Sequence, residues 1–315
     1  MIRYITHENI DLDKWDKCID KAINGSFYGY SWYLHMCARK WDALVEDDYR
    51  AVMPLPFRKK AGITYLFQPF FIQQLGVFST HSLQSETIDA FIRAIPGHFR
   101  FGEFSLNTHN PLPDNHKAIS GRGITYELDL IQPYEQLQGN YSSNIRRNIK
   151  KAKESGVYIT QHGRPEEIIN AFRANRGAGG VPFSENDYQL LKHIIYAGIH
   201  RRMVSLKCAY SETNNFCAGI IFFTSHNKTV WLFSGATQEA RKNNAMSLLA
   251  DDFIRENAGK QLTLDFEGSS DPNLARFYRG FGSQECVFLH IKLNRINVLL
   301  KPFINLYLAT RKHLK

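Results

Sequence analysis

From residue 204 onward the chain alternates strand and helix signals with almost no slack between them. VSLKCAY (204–210), CAGIIFFTS (217–225) and TVWLFSGA (229–236) are rich in β-branched and aromatic residues. Only Ser211–Asn215 and His226–Lys228 separate them. Turns this short predict an antiparallel meander. AMSLLADDFIRENAG (245–259) follows with helical spacing and ends at Gly259. QLTLDFEG (261–268) then reads as a strand, NLARFYRGFG (273–282) as a short helix and CVFLHIKL (286–293) as the last strand. This order constrains the second half to an α/β core. It also makes the basic, amide-rich stretch 237–244 a loop that delivers the chain to a helix N-terminus. Unpaired backbone N–H groups there form a ready anion site.

The first half reads as mixed α and β. Residues 11–23 predict a helix capped by Asp11, with Leu12, Trp15, Ile19 and Ala22 on its inner face. A second short helix is expected over 31–38. Strands are expected over 51–57, where two prolines favour a sheet edge, and over 62–67, 72–79, 101–107 and 125–130. Residues 85–95 form a helix stopped by Pro96-Gly97, and 108–123 a loop. Between the halves, 140–156 predicts a helix ending at Gly156, 157–161 a strand, Pro165 to about Arg176 a helix, 177–182 a loop and 184–200 a helix.

At 315 residues, with 43% hydrophobic and 22% charged side chains, the chain is expected to fold as two domains and not to be largely disordered. No run approaches the ~20 apolar residues of a membrane span, and the first residues carry no apolar core of a secretory signal. Five cysteines without CxxC pairing argue against a disulfide framework or a cysteine zinc site and predict a cytoplasmic protein. The twelve histidines show no HxxxH or HxH spacing, so no metal site is expected. The formal charge of +9 predicts an anionic partner.

Two blocks carry a family resemblance: residues 229–284, from TVWLFSGATQEARKNNAMSLL to FYRGFGSQ, and YSSNIRRNIKKAKESGVYI (141–159). Together they resemble the GNAT acyltransferase superfamily, in particular the branch that includes the FemABX peptidyltransferases. The resemblance covers most of 140–290 and is weaker in the first half. It implies an α/β (α+β) fold of two tandem GNAT-like domains, with mixed sheets flanked by helices. The expected boundaries are 1–135 for a divergent first domain, 136–293 for the second, and 294–315 for an amphipathic helix packed back on the first. It further implies an N-acyltransferase that moves an acyl or aminoacyl group from a phosphate-bearing carrier, acyl-CoA or aminoacyl-tRNA, to an amine acceptor such as a cell-wall precursor. The other reading is a non-catalytic GNAT scaffold that binds a phosphorylated or cell-wall ligand.

Site residues follow from the same resemblance. A GNAT loop of the type Gln/Arg-x-x-Gly-x-Gly/Ala cradles the CoA pyrophosphate. Its counterpart here is Arg241, Lys242, Asn243, Asn244 and Ala245, which keeps the first basic residue but lacks the glycines. Ser234 and Gly235 fall where the strand before that loop splays to grip the acyl carrier. Tyr278 falls where many GNAT enzymes place a tyrosine that protonates the leaving group.

The residues themselves add two groups. In TLDFEG the alternation puts Asp265 and Glu267 on one strand face, where they would accept a proton from an ammonium acceptor or bind it, the alternative being a solvent face paired with Arg276 and Arg279. Arg146, Lys150 and Lys153 line one face of a helix, with Arg147 and Lys151 beside them and Ile145, Ile149 and Ala152 as the inner stripe. Arg146, Arg147 and Lys150 are therefore expected to bind an anionic substrate, with tRNA among the candidates. The tail NRINVLLKPFINLYLATRKHLK (294–315) is amphipathic, which leaves peripheral membrane contact as an alternative to packing on the first domain.

Overall fold

The fold was analysed in a computed structural model that describes residues 1–60, 62–175, 183–268 and 271–295. In chain order the elements are β1 (Ile2–Ile5), α1 (Leu12–Lys21), α2 (Ser31–Ala38), β2 (Trp41–Glu46), β3 (Ala51–Lys60), β4 (Ile63–Leu66), β5 (Phe78–Ser79), α3 (Ser85–Ala94), β6 (Phe99–Ser105) and β7 (Ile119–Asp129). They continue with α4 (Tyr134–Gly139), α5 (Ser143–Glu154), β8 (Tyr158–Thr160), α6 (Pro165–Asn175), α7 (Glu185–His200), β9 (Val204–Tyr210), β10 (Phe216–Ser225) and β11 (Lys228–Ala236). The last are α8 (Gln238–Asn243), α9 (Ala245–Asn257), β12 (Thr263–Asp265), α10 (Pro272–Arg279) and β13 (Gln284–Asn294). Contacts divide the described residues into two compact units. One holds 1–123, 183–187 and 287–295, and the other holds 124–175 and 188–286.

In the first unit the order β1-β2-β3-β4-β6-β13 builds a mixed sheet, with β5 also on β3. Among the described strands of this unit, only β4 and β6 run parallel. The helix predicted from Asp11 forms as expected, and the Asp11 side chain accepts the Lys14 N–H at 3.0 Å. Its inner face is rotated: Trp15, Cys18, Ile19 and Ala22 are buried, whereas Leu12 is exposed. Trp15 packs on Trp41 with ring centroids 4.6 Å apart.

Two strand expectations change. The prolines of β3 do not mark an edge, because β3 lies between β2 and the pair β4 and β5. Pro56 directs its carbonyl to Phe67 N–H at 3.1 Å, on the side away from β2. Pro54, two residues back, faces the same way, so neither missing N–H interrupts the β2 ladder. The strand expected over 72–79 shrinks to Phe78–Ser79 plus a bridge from Leu75 to Leu106. Side-chain amides take the backbone groups a ladder would use. Asn107 donates to the Leu75 carbonyl, Asn24 to that of Val77, and Asn110 accepts the Val77 N–H at 2.7 Å. The loop expected over 108–123 is shortened because β7 begins at Ile119.

In the second unit the order is β7-β12-β11-β10-β9-β8. The meander β9-β10-β11 is antiparallel as predicted, β11 and β12 are parallel, and β12 and β7 antiparallel. Phe222 faces α9, stacked 4.1 Å from Phe253. Its neighbour Phe223 faces the other side, where Gly198 of α7 lets the helix approach. α5 packs along α9 through the predicted stripe of Ile145, Ile149 and Ala152, all buried. The loop expected over 177–182 and the tail helix over 294–315 lie, apart from residues 294 and 295, outside the described residues.

Candidate active site

The site begins with a mismatch in strand length. β12 pairs with β11 over only three residues, from Lys228↔Thr263 to Val230↔Asp265. β11 then continues to Ala236 with β10 as its partner. Past Val230 the second neighbour is gone, so the two parallel strands part and the backbone of β11 opens on that side. A bulge at Leu232 sharpens the bend: Ile221 faces Phe233 while Phe222 faces Trp231, leaving Leu232 as the extra residue.

The strand expected over 261–268 is thus cut to its middle. Glu267 causes this, because its φ of 55° is left-handed and ends the extended run. The expectation that Asp265 and Glu267 project from one strand face is corrected by the same turn. Asp265 remains inside the sheet, almost wholly buried, and Glu267 stands half-buried beyond its end.

Asp265 sits in a cluster assembled from three strands, β7, β11 and β12. One carboxylate oxygen accepts the Thr125 hydroxyl and the Glu267 N–H, the latter at 2.9 Å. The other lies 3.9 Å from the Lys228 ammonium, which also meets Glu127 at 2.6 Å. Burial pushes the Asp265 carboxyl up to about 6 against the opposing pull of Lys228. Burial lowers the pKa of Lys228, but Asp265 and Glu127 outweigh it, so the ammonium is held above the usual lysine value. The sequence carried a faint signal for this cluster: TYELDL alternates Thr125, Glu127 and Asp129 against Tyr126 and Leu128, as β12 alternates Thr263 and Asp265 against Leu264.

Tyr278 comes to the same place from α10, which starts at an Asp271 cap followed by Pro272. Its ring stacks on Phe266 at 5.0 Å, with Tyr126 at 5.9 Å and Trp231 at 6.2 Å. Burial, then the charges of Glu267, Asp265 and Asp271, hold the phenol pKa above its usual value. The hydroxyl therefore stays protonated across the physiological range and holds a proton it can donate. Among the described residues none hydrogen-bonds it. Tyr278, Glu267 and Asp265 are thus brought together at the point where β12 stops.

Ser234 and Gly235 lie farther along the open part of β11. Ser234 is half-buried, and Gly235 pairs with Gly219 directly under α6. A Cβ at Gly235 would overlap the Ile168 carbonyl, so this glycine admits a helix backbone where the sequence reading had it open the strand.

The expected pyrophosphate loop is instead the helix α8, capped by the Thr237 hydroxyl on Ala240 N–H at 3.3 Å. Asn244 does adopt the left-handed conformation that joins α8 to α9. Asn243 is buried, its Oδ1 accepting the Ala245 N–H at 3.0 Å and its Nδ2 reaching Cys217 at 3.3 Å. Ser247 N–H is taken by the Asn244 carbonyl. Two of the first three amides of α9 are thus satisfied within the chain. Arg241 and Lys242 extend into solvent.

The α5 cations stand on the exposed side of that helix, whose inner stripe packs in the same core as Trp231 and Phe266. Arg146, Lys150 and Lys153 line a groove of about 510 Å³ together with Glu135, Gln138 and Glu154. Arg146 donates to the Gly139 carbonyl at 2.6 Å and Arg147 to Asn144 at 3.0 Å. α8 packs beside α5, which sets Arg241 and Lys242 on a helix adjacent to this basic one.

Comparison with known proteins separates sequence from fold. No family model matches the chain, and no curated protein matches it in sequence. Among solved structures, FemX aligns with a TM-score of 0.64 over 96% of this chain and 99% of its own, at 11% identity. The C-terminal domain of a putative lysylphosphatidylglycerol synthetase from Agrobacterium fabrum aligns with a TM-score of 0.55 over 90% and 92%, at 10% identity. L-PGS from Bacillus licheniformis aligns with a TM-score of 0.51 over 93% and 95%, at 11% identity. The chain therefore has the mixed α/β fold of FemX, as the sequence resemblance implied. No helix among the described residues is long and apolar enough to cross a membrane.

Proposed function

We propose that the chain is an acyltransferase that moves an aminoacyl group from tRNA to an amine acceptor. The observation that carries this reading is the parted pair β11 and β12, with a protonated tyrosine and a carboxylate at the point of parting. An ester carbonyl placed there would be attacked by the acceptor amine, forming the C–N bond and breaking the C–O bond to the ribose. Glu267 takes the proton released by the amine. Tyr278 gives its proton to the leaving ribose oxygen and is restored from Glu267, so the proton balance closes.

The choice of tRNA over acyl-CoA rests on α8. Asn243 already fills part of the amide cradle that a pyrophosphate would need, while the α5 cations and Arg241 and Lys242 offer side-chain charge of the kind that tracks a phosphodiester backbone. The names of the solved relatives fit an aminoacyl transfer: one is a putative lysylphosphatidylglycerol synthetase. A cell-wall precursor is the acceptor class implied by FemX-like proteins, and a cytoplasmic location fits the unpaired cysteines.

Titration calorimetry tests the donor. Aminoacyl-tRNA is expected to bind with an affinity that falls steeply with salt, and acetyl-CoA to give no heat. Binding of acetyl-CoA without tRNA would overturn the donor assignment. Once turnover is found, Tyr278→Phe and Glu267→Gln are each expected to lower kcat by ~10²-fold or more. Unchanged turnover in both would remove the catalytic roles and leave a ligand-binding scaffold.

A further inference from the structure

Glu267 follows Phe266, whose ring stacks on Tyr278, and stands there by way of a backbone turn that a glutamate adopts at a cost. Its φ is 55°, and the next residue, Gly268, is pressed so closely on β7 that a Cβ there would overlap the Ile124 carbonyl. A carboxylate oxygen of Asp265 ties this turn down. Asp265 Oδ1 accepts the Glu267 N–H and the Thr125 hydroxyl together, tying the turn to β7, while its partner oxygen faces Lys228. Asp265 itself is 4% exposed and gives a substrate no access.

We propose that Asp265 is a positioning residue: its buried carboxylate, oriented by Thr125 and Lys228, clamps the left-handed turn that presents Glu267 beside Tyr278. The inference rests on the reading of Glu267 and Tyr278 as the reacting pair, and it assigns Asp265 a role distinct from the proton acceptor that the sequence pattern suggested. Thr125, Lys228 and Glu127 join the machinery as supports that never meet the substrate. Such an arrangement holds the glutamate through its backbone N–H.

Two NMR readouts on the whole chain test the clamp. Amide exchange at Glu267 reports the hydrogen bond to Asp265. The ring ζ-carbon of selectively labelled Tyr278 reports the ionisation of a carboxylate beside it, and Glu267→Gln identifies which inflection belongs to Glu267. In Asp265→Ala the Glu267 amide is expected to exchange about tenfold faster or more, and the Glu267 inflection to vanish from Tyr278. Asp265→Asn keeps an oxygen in place and is expected to restore both. A residue serving stability alone would leave the Tyr278 inflection in place. Thr125→Val, which removes one tie only, is expected to give an intermediate result and stands in if Asp265→Ala does not fold.

Retained protection at Glu267, or a Tyr278 inflection that survives in Asp265→Ala, overturns the clamp. A Tyr278 profile unmoved by Glu267→Gln overturns the pairing of the two residues and the clamp with it. Failure of tRNA to bind would sink the donor assignment alone, since neither NMR readout involves a donor.

Discussion

Lys228 and Lys150 carry the same charge in the same unit and are used in opposite ways. Lys228 opens β11 with its ammonium 2.6 Å from Glu127 and 3.9 Å from Asp265, and only about a quarter of its side chain is exposed. Lys150 projects from α5 with 77% of its side chain in solvent, and its nearest carboxylate is Glu154, one turn on, at 3.7 Å. The first lysine neutralises carboxylates that could not otherwise stay inside a sheet. The second is weakly held and remains available to a ligand. The contrast teaches that the chain's net charge of +9 has two components, one spent on the architecture of the site and one presented to a partner.

The comparison breaks most visibly at Lys228. Substituting Lys228→Met removes the shared cation and leaves Glu127 and Asp265 facing each other across adjacent strands. Removing one partner of a buried ion pair typically costs several kcal/mol. Because Lys228 keeps some exposure, a loss of about 3 kcal/mol is expected, read as a lower urea midpoint with an unchanged slope. The equivalent substitution Lys150→Met should move the midpoint hardly at all. A Lys228→Met loss below about 1 kcal/mol would mean that water screens the cluster and that the buried and exposed lysines do not differ in kind.

A second, smaller effect appears as a pH dependence. Burial raises the folded Asp265 carboxyl to about 6, above its value in the unfolded chain near 3.8. A carboxyl shifted upward contributes stability when both states are protonated, below about pH 4. That contribution is lost as pH rises through about 6, because the folded state must then ionise a group the unfolded state ionises more readily. The groups around it are Lys228, Glu127, Thr125, Glu267, Tyr278 and Cys286; Lys228, the Thr125 hydroxyl and the Glu267 N–H favour its ionised form, while burial and Glu127 oppose it. Asp265→Asn removes the titration. The stability of that variant relative to the parent is therefore expected to increase by on the order of 2–3 kcal/mol between pH 4 and 7. A flat difference across that range would show that Lys228 holds Asp265 ionised throughout.

How far this was readable in the sequence differs between the two regions. The α5 face was legible because helical spacing alone separates Ile145, Ile149 and Ala152 from the cations, and all three are buried. The meander was legible for a similar reason: β-branched runs and turns of a few residues leave one arrangement. The ion cluster was not. Lys228 and Glu127 are 101 residues apart, and their meeting depends on β12 lying between β7 and β11, which no local pattern dictates. The shortening of β12 was hidden because Phe266 and Glu267 continue the strand alternation in sequence while the backbone turns left-handed at Glu267. α8 escaped notice because its six residues bury only Ala240 and Asn243, too little for an apolar stripe, so its basic and amide residues read as a loop.

The smallest effect on stability is expected on the exposed side of the comparison, where the functional effect should be plain. Lys150 and Lys153 line the α5 groove and neither is buried. Replacing both, Lys150→Gln with Lys153→Gln, forfeits one loose ion pair with Glu154 and little else, so the urea midpoint should shift by no more than about 0.5 kcal/mol in free energy. Binding of tRNA should respond differently. Each cation that neutralises a phosphate contributes about 0.7–0.9 to the slope of log affinity against log salt, so losing two lowers that slope by about 1.4–1.8. Filter binding across a salt series measures it directly. If the slope is unchanged while tRNA still binds, the phosphates are met elsewhere, and Arg241 and Lys242 on the neighbouring α8 become the next pair to replace. If stability falls along with binding, the α5 cations belong to the architecture after all, and the line drawn between Lys228 and Lys150 disappears.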